Sequence, residues 1–140
     1  MYQPKNTKFR KFQKGRNAGI TNMQIAYESY AIRAQEPKRV TARQIEATRR
    51  AIVRKTKRLG KLIIRIYPHK PVTSKAVGVR MGKGKGTTDY WCAPVKAGAI
   101  LFELGRVPES LAMEALRLGM AKLPLKTIIL KKVDFLTKTK

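Results

Sequence analysis

One cysteine, one histidine and eight acidic residues in a chain of 140 leave little material for the commoner kinds of site chemistry. A single thiol, Cys92, cannot build an internal disulfide framework and suits a reducing compartment. With only His69 beside it, multi-cysteine zinc sites and most other metal constellations are excluded. His69 stands in YPHKP, between two prolines, where a turn is expected rather than a ligand or a catalytic base. Nucleophilic catalysis needs a base oriented beside Ser or Cys, and the acids form no spaced pair suited to acid–base work. Glu109 and Glu114 are expected on a helix surface. No apolar run approaches the roughly 20 residues that span a bilayer. The basic amino terminus has no apolar segment behind it, so it does not read as a secretory signal. Its Arg-rich, acid-poor composition has the flavour of a mitochondrial presequence, but Pro4, Gly15 and Gly19 interrupt any amphipathic helix. No cofactor, metal or enzymatic activity is expected.

What is present is positive charge. Thirty-two Lys and Arg give a formal net charge of +24, in a chain still 43% hydrophobic and therefore able to fold. That much like charge repels itself unless a polyanion neutralises it. Nucleic acid is the fitting partner, because each phosphate neutralised releases condensed counterions. The distribution is uneven. Residues 1–20 carry +6, 21–40 +1, 41–60 +6, 61–86 +7, 87–124 zero and 125–140 +4. A basic arm (1–20), a basic helix and a basic loop thus flank a neutral stretch suited to supply core. A single domain is expected over 21–131, followed by a basic tail, 132–140.

In the arm, Phe9 and Phe12 alternate with Lys8, Arg10, Lys11 and Lys14. Aromatics among cations suit base stacking with phosphate contact; anchoring of the arm to the domain is the equal alternative. Such an arm is expected to order on RNA. Residues 24–33 read as a strand from their aromatic and β-branched content. Thr41 with Gln44 forms a capping box opening a helix that runs to about Leu59, with Ile45, Ile52 and Leu59 as its apolar stripe and Gly60 as its terminator. Its other faces carry Arg43, Arg49, Arg50, Arg54, Lys55, Lys57 and Arg58 against Glu46 alone, where a solvated face ordinarily mixes both signs. Residues 61–67, 76–80, 89–95 and 98–103 read as strands, the last two joined by a turn at Lys96-Ala97. Pro94 suits an edge or a strand end. A second helix begins near Pro108, packs through Leu111, Ala115 and Gly119, and ends before Pro124. A last strand covers 125–130. The order implies an α+β fold, two helices on one mixed or antiparallel sheet.

Arg80-Met81-Gly82-Lys83-Gly84-Lys85-Gly86 is the sharpest local signal. Its glycines permit positive φ or close backbone approach, and its lysines place ammonium groups at the contact. It lacks the spacing and the following helix of a P-loop and does not match the dinucleotide fingerprint. A loop probing RNA phosphates fits this cationic chain better than a plain hairpin tip.

These motifs, taken together, resemble the L-sixteen family of bacterial-type large-subunit ribosomal proteins. The resemblance rests on QPKNTKFRKFQKGRN at 3–17, TARQIEATRRAIVRKTKRLGKLIIRIYPHKPVT at 41–73, VRMGKGKGTTDYW at 79–91 and ILFELGRVPESLAMEALRLGMAKLPLKT at 100–127. It implies an α+β fold assembled on large-subunit ribosomal RNA near the aminoacyl and peptidyl tRNA sites, beside neighbouring ribosomal proteins. By that resemblance, Lys5, Lys8, Arg10, Lys11, Lys14 and Arg16 of the arm, and Arg43, Arg49, Arg50, Arg54 and Arg58 of the helix, bind ribosomal RNA. Arg80, Met81, Gly82, Lys83, Gly84, Lys85 and Gly86 form the loop facing tRNA. The Lys- and Ile-rich composition favours an organellar copy, mitochondrial before plastid, over a bacterial one. A free-standing RNA chaperone, a phosphate-binding enzyme using the 82–86 loop and a cationic membrane-surface protein are the alternatives.

Overall fold

The capping box at the start of the first helix forms as its sequence requires. Thr41 Oγ1 accepts from the Gln44 amide (3.2 Å), and Gln44 Oε1 accepts from the Thr41 amide (2.9 Å). In the computed structural model, which describes residues 2–132, the elements run β1 (Tyr30–Ala34), β2 (Lys38–Thr41), α1 (Ala42–Lys55), β3 (Lys61–Ile64), β4 (Lys70–Ser74), β5 (Thr87–Val95), β6 (Ile100–Gly105), α2 (Glu109–Met120) and β7 (Thr127–Lys131). The fold is α+β. Instead of one sheet there are two, a four-stranded one in the order β3-β6-β1-β7 and a three-stranded one in the order β2-β5-β4, and every paired strand in both is antiparallel. Most of the basic tail, 133–140, lies outside the described residues.

The near-neutral stretch does supply much of the core. Every residue of β6 is buried, and Leu101, Phe102 and Leu104 join Ile32, Val40, Ile45, Ile52, Val95 and Leu116 in one cluster. α1 and α2 pack on each other across Gly119, where an added Cβ would lie 2.8 Å from Ile52 Cγ1. Lys55 and Glu114 close the same interface as an ion pair at 2.7 Å.

Several elements differ from expectation. The strand expected over 24–33 begins only at Tyr30, because the amides of Ala26, Tyr27 and Glu28 turn to a side chain instead of a neighbouring strand. α1 ends at Lys55, not Leu59. Lys57 (φ 50°) and Arg58 (φ 66°) both enter the left-handed region and swing Leu59 out to 62% exposure. Ile45 and Ile52 remain in the stripe, completed by Thr48. The strand over 61–67 stops at Ile64. Residues 76–80 form no strand; beside β2, the other partner of β5 is KPVTS, 70–74, a strand hidden by its proline and polar residues. β5 and β6 are not a hairpin, because the turn at Lys96-Ala97 carries the chain from one sheet into the other. Pro94 lies beyond Cys92, the last β5 residue paired with β4, where β5 is an edge on that side while still pairing with β2 on the other.

Glu103 is a fully buried carboxylate in β6. It accepts from the amides of Ala26 (3.3 Å), Tyr27 (2.8 Å) and Glu28 (3.0 Å) and pairs with Arg65, whose guanidinium sits 5.0 Å over the Tyr27 ring. Burial pushes the carboxyl up, but the three amides and Arg65 together outweigh it, and the net effect is a pKa below the ordinary carboxylate value. A depressed folded-state pKa contributes stability that is present above the unfolded value and is lost as pH falls through the folded one.

Two outcomes are expected. In Glu103→Gln, chemical denaturation at neutral pH should show a loss of about 1.5–3 kcal/mol, with a shallower decline of stability on acidification than in the parent; an unchanged acid limb would contradict the assignment. Gly119→Val should lower stability by about 1–3 kcal/mol through overpacking against Ile52, read from the urea midpoint.

Candidate nucleic-acid interface

The arm's cations, Lys11 apart, are outward-facing because the arm is held mainly through its backbone. Arg39 donates to the carbonyls of Lys14 and Gly15 (3.1 Å to the latter), Lys70 to Lys14 O (2.7 Å), Thr88 to Arg10 O (2.9 Å) and Lys85 to Phe12 O. Lys11 in turn donates to Lys85 O (2.8 Å), and Asn17 to Val95 O (2.8 Å). Carbonyl acceptors on the arm meet cationic donors on β2, β4 and the stem of the glycine–lysine loop. Lys5, Lys8, Arg10, Lys11, Lys14 and Arg16 are therefore all exposed. Phe9 and Phe12 stay 60% and 43% exposed, and Lys8 Nζ lies 5.6 Å from the Phe9 ring centroid. The arm's first residues reach the other basic element: Tyr2 stacks edge-on against Tyr67 at 5.1 Å and lines a hollow with Arg43, Glu46 and Arg50 of α1.

α1 presents a second surface. Arg49, Arg50, Val53, Arg54, Lys57 and Arg58 line an open groove of about 600 Å³. Glu46 is the helix's one acid; hydrogen bonds from Arg49 (2.7 and 2.8 Å) and Arg50 (2.9 Å) outweigh its partial burial and hold its carboxyl at about 2. Arg49 and Arg50 are thus half-committed to Glu46, whereas Arg43, Arg54 and Arg58 face no carboxylate among the described residues. The left-handed turn at Lys57 and Arg58 keeps those two cations, with Arg54, near the helix C-terminus, whose partial negative charge favours them.

The glycine–lysine segment is the tip of the β4–β5 hairpin. Arg80, Met81, Gly82, Lys83, Gly84 and Lys85 are exposed, Met81 at 88%. Two glycine requirements divide it. Gly82 (φ 92°) and Gly84 (φ 102°) take left-handed conformations around Lys83. Gly86 instead allows close approach, since a Cβ there would stand 2.2 Å from Ser74 O. Lys75 ties the loop across its mouth, donating to the carbonyls of Arg80 (3.3 Å) and Gly82. The structure therefore joins the arm, the loop and the N-terminal half of α1, while Arg54 and Arg58 sit on the separate groove.

The residues that make this arrangement, Arg39, Lys70 and Lys75, escaped the motif reading. They lie outside the basic runs of arm, helix and loop, and their partners are carbonyls 5–56 residues away, which no local pattern encodes. Cys92 is buried, and burial pushes its thiol up despite nearby Arg39 and Lys70. His69 is exposed and its Nδ1 lies 3.1 Å from Tyr67 O, in the connection between β3 and β4. Among the described residues no group of three or more His, Cys, Asp or Glu converges as a metal site, and no helix is long and apolar enough to cross a membrane.

Comparison with known proteins agrees along nearly the whole length. The chain is 55% identical over 135 residues to the large ribosomal subunit protein uL16 of Bartonella henselae, covering 95% of this chain and 98% of that one. It is 54% identical over 136 residues to large ribosomal subunit protein uL16 of Caulobacter vibrioides, covering 96% and 95%. Both relatives are bacterial, so the leaning toward an organelle finds no support in them. The family model for ribosomal protein L16p/L10e matches residues 4–130, and with these relatives it shows that the chain belongs to that family.

Proposed function

We propose that this protein is a non-catalytic structural constituent of the large ribosomal subunit. On this reading it fixes ribosomal RNA through its arm and α1, contacts neighbouring ribosomal proteins, and offers the 80–86 loop to bound tRNA. The observation that carries the reading is that, Arg49, Arg50 and Lys55 apart, the exposed cations of the arm, α1 and loop are left without carboxylates among the described residues, while their backbones are held in place. Ion pairs among the described residues engage Arg49, Arg50, Lys55, Lys61, Arg65 and Lys131; of the cations assigned to RNA or tRNA, only Arg49 and Arg50 are included. Arg and Lys side chains held on an ordered framework position phosphates without reading sequence.

The mechanism follows from that placement. Arm and loop share hydrogen bonds at Lys11, Phe12 and Lys85, so an RNA strand that orders the arm also sets the loop stem. Lys83, between two left-handed glycines and free of any such bond among the described residues, is the loop cation best placed to meet a phosphate. Lys85 has a different role: it anchors the arm.

Neutralising about eight phosphates gives a log–log salt slope near −7 for binding to large-subunit ribosomal RNA; a slope shallower than about −2 contradicts the reading. Replacing Arg54 and Arg58 together by Ala should reduce the slope by about 2. Lys83→Ala should leave unfolding within about 0.5 kcal/mol of the parent and weaken tRNA binding by assembled subunits. Unchanged tRNA affinity in that variant would remove the loop from the tRNA contact.

A further inference from the structure

Asp89 is an acid out of place. Each of the other six described acids has a partner: Glu28, Glu46, Glu103, Glu109 and Glu114 pair with cations, and Glu36 accepts from the Lys126 amide. Asp89 makes no ion pair and no side-chain hydrogen bond among the described residues, in a chain whose net charge is +24. It is also exposed. A lone carboxylate beside a surface that takes phosphate repels its own ligand, unless donors come to meet it.

Two further features single out the position. The β4–β5 register jumps there: Val72 pairs with Tyr90 and Thr73 with Thr88, so Asp89 is left over on the bulged strand. A bulge re-aims a side chain out of the regular alternation. Asp89 also lines a concavity of about 340 Å³ with Gln3, Thr41, Arg43, Tyr90 and Trp91, within the range of about 300–1,000 Å³ for small-ligand clefts. The cleft brings together an arm residue, the first turn of α1, which contains no acid, and the aromatic pair of β5.

We propose that this cleft holds one unpaired guanine of the RNA, a reading that rests on the RNA-binding function proposed above. A carboxylate only accepts hydrogen bonds and takes two side by side. Among the four bases, guanine presents two adjacent donors on its Watson–Crick edge, N1–H and the N2 amino group. Trp91 and Tyr90 supply aromatic faces for stacking, the means by which single-stranded bases are held. Arg43, beside the N-terminus of α1, is placed for the phosphate of the same nucleotide. Asp89 thereby gives sequence preference to an interface whose other contacts are to the backbone.

The test is footprinting on large-subunit ribosomal RNA with the full chain, using kethoxal for the N1 and N2 positions of unpaired guanine and hydroxyl radical for the sugar–phosphate backbone. With the parent protein, one guanine reactive in free RNA should become protected. Asp89→Ala and Asp89→Asn should restore its reactivity and leave the backbone footprint in place. Inosine at that position, which lacks the N2 amino group, should weaken binding by the parent on the order of 5–100-fold and by Asp89→Ala hardly at all. A backbone footprint with no Asp89-dependent guanine overturns the assignment of the cleft alone. So does a deficit in the Asp89 variants that appears only when a neighbouring ribosomal protein is added, or one that extra Mg²⁺ removes. Absence of both footprints with the parent protein defeats the RNA-binding reading itself.

Discussion

A chain with a net charge of +24 closes around a core only where its cations need not enter, and that constraint organises this molecule. Residues 87–124, whose charges balance, provide the most deeply buried strand and one of the two helices. The remaining segments lend single apolar faces and keep their cations outside. Among the described residues the one charge taken fully inside is negative: Glu103, matched by three amides and Arg65. A buried carboxylate is costly unless its lone pairs are satisfied, and satisfying them draws the irregular segment 26–28 onto the sheet. Self-repulsion among the outer cations remains, and phosphate relieves it.

The structure uses lysine and arginine in two ways, and the distinction organises the interface. Arg39, Lys70, Lys75 and Lys85 donate inward to carbonyls and act as fasteners. Lys8, Arg16, Arg54, Arg58 and Lys83 have no such partner among the described residues and face outward. Fastening an arm mainly by its carbonyls leaves most of its side chains available, Lys11 and Asn17 excepted, which a hydrophobic anchor through Phe9 and Phe12 would not. The same economy shows at the end of α1, where two non-glycine residues accept left-handed backbone and the basic cluster is splayed instead of stacked.

Regular elements with local signals were readable. The capping box at Thr41 and Gln44, the buried Ile45 and Ile52, the apolar run of β6 and the helix between Pro108 and Pro124 all stand where their residues place them. Elements whose reasons are distant were not. β4 contains a proline and two hydroxyl residues and is a strand only because β5 pairs with it. Segment 24–29 has strand-like composition, yet Glu103, more than 70 residues away, claims its amides. Leu59 fits a helical repeat and leaves it because Lys57 and Arg58 turn the chain. The basic motifs of arm, helix and loop were visible from charge and glycine spacing. Asp89 was not, since a lone acid becomes conspicuous only when every other described acid is seen to have a partner.

The amino-acid order on its own determined the class of partner, the helix starts and the apolar segments of the core, because net charge, capping and periodicity are local or additive properties. Tertiary structure alone decided that the strands divide into two sheets, that the arm lies along the loop stem, and which cations fasten and which remain outward. Those outcomes depend on hydrogen bonds between residues far apart in the chain. Their energies are comparable with one another, and only the folded geometry selects among them.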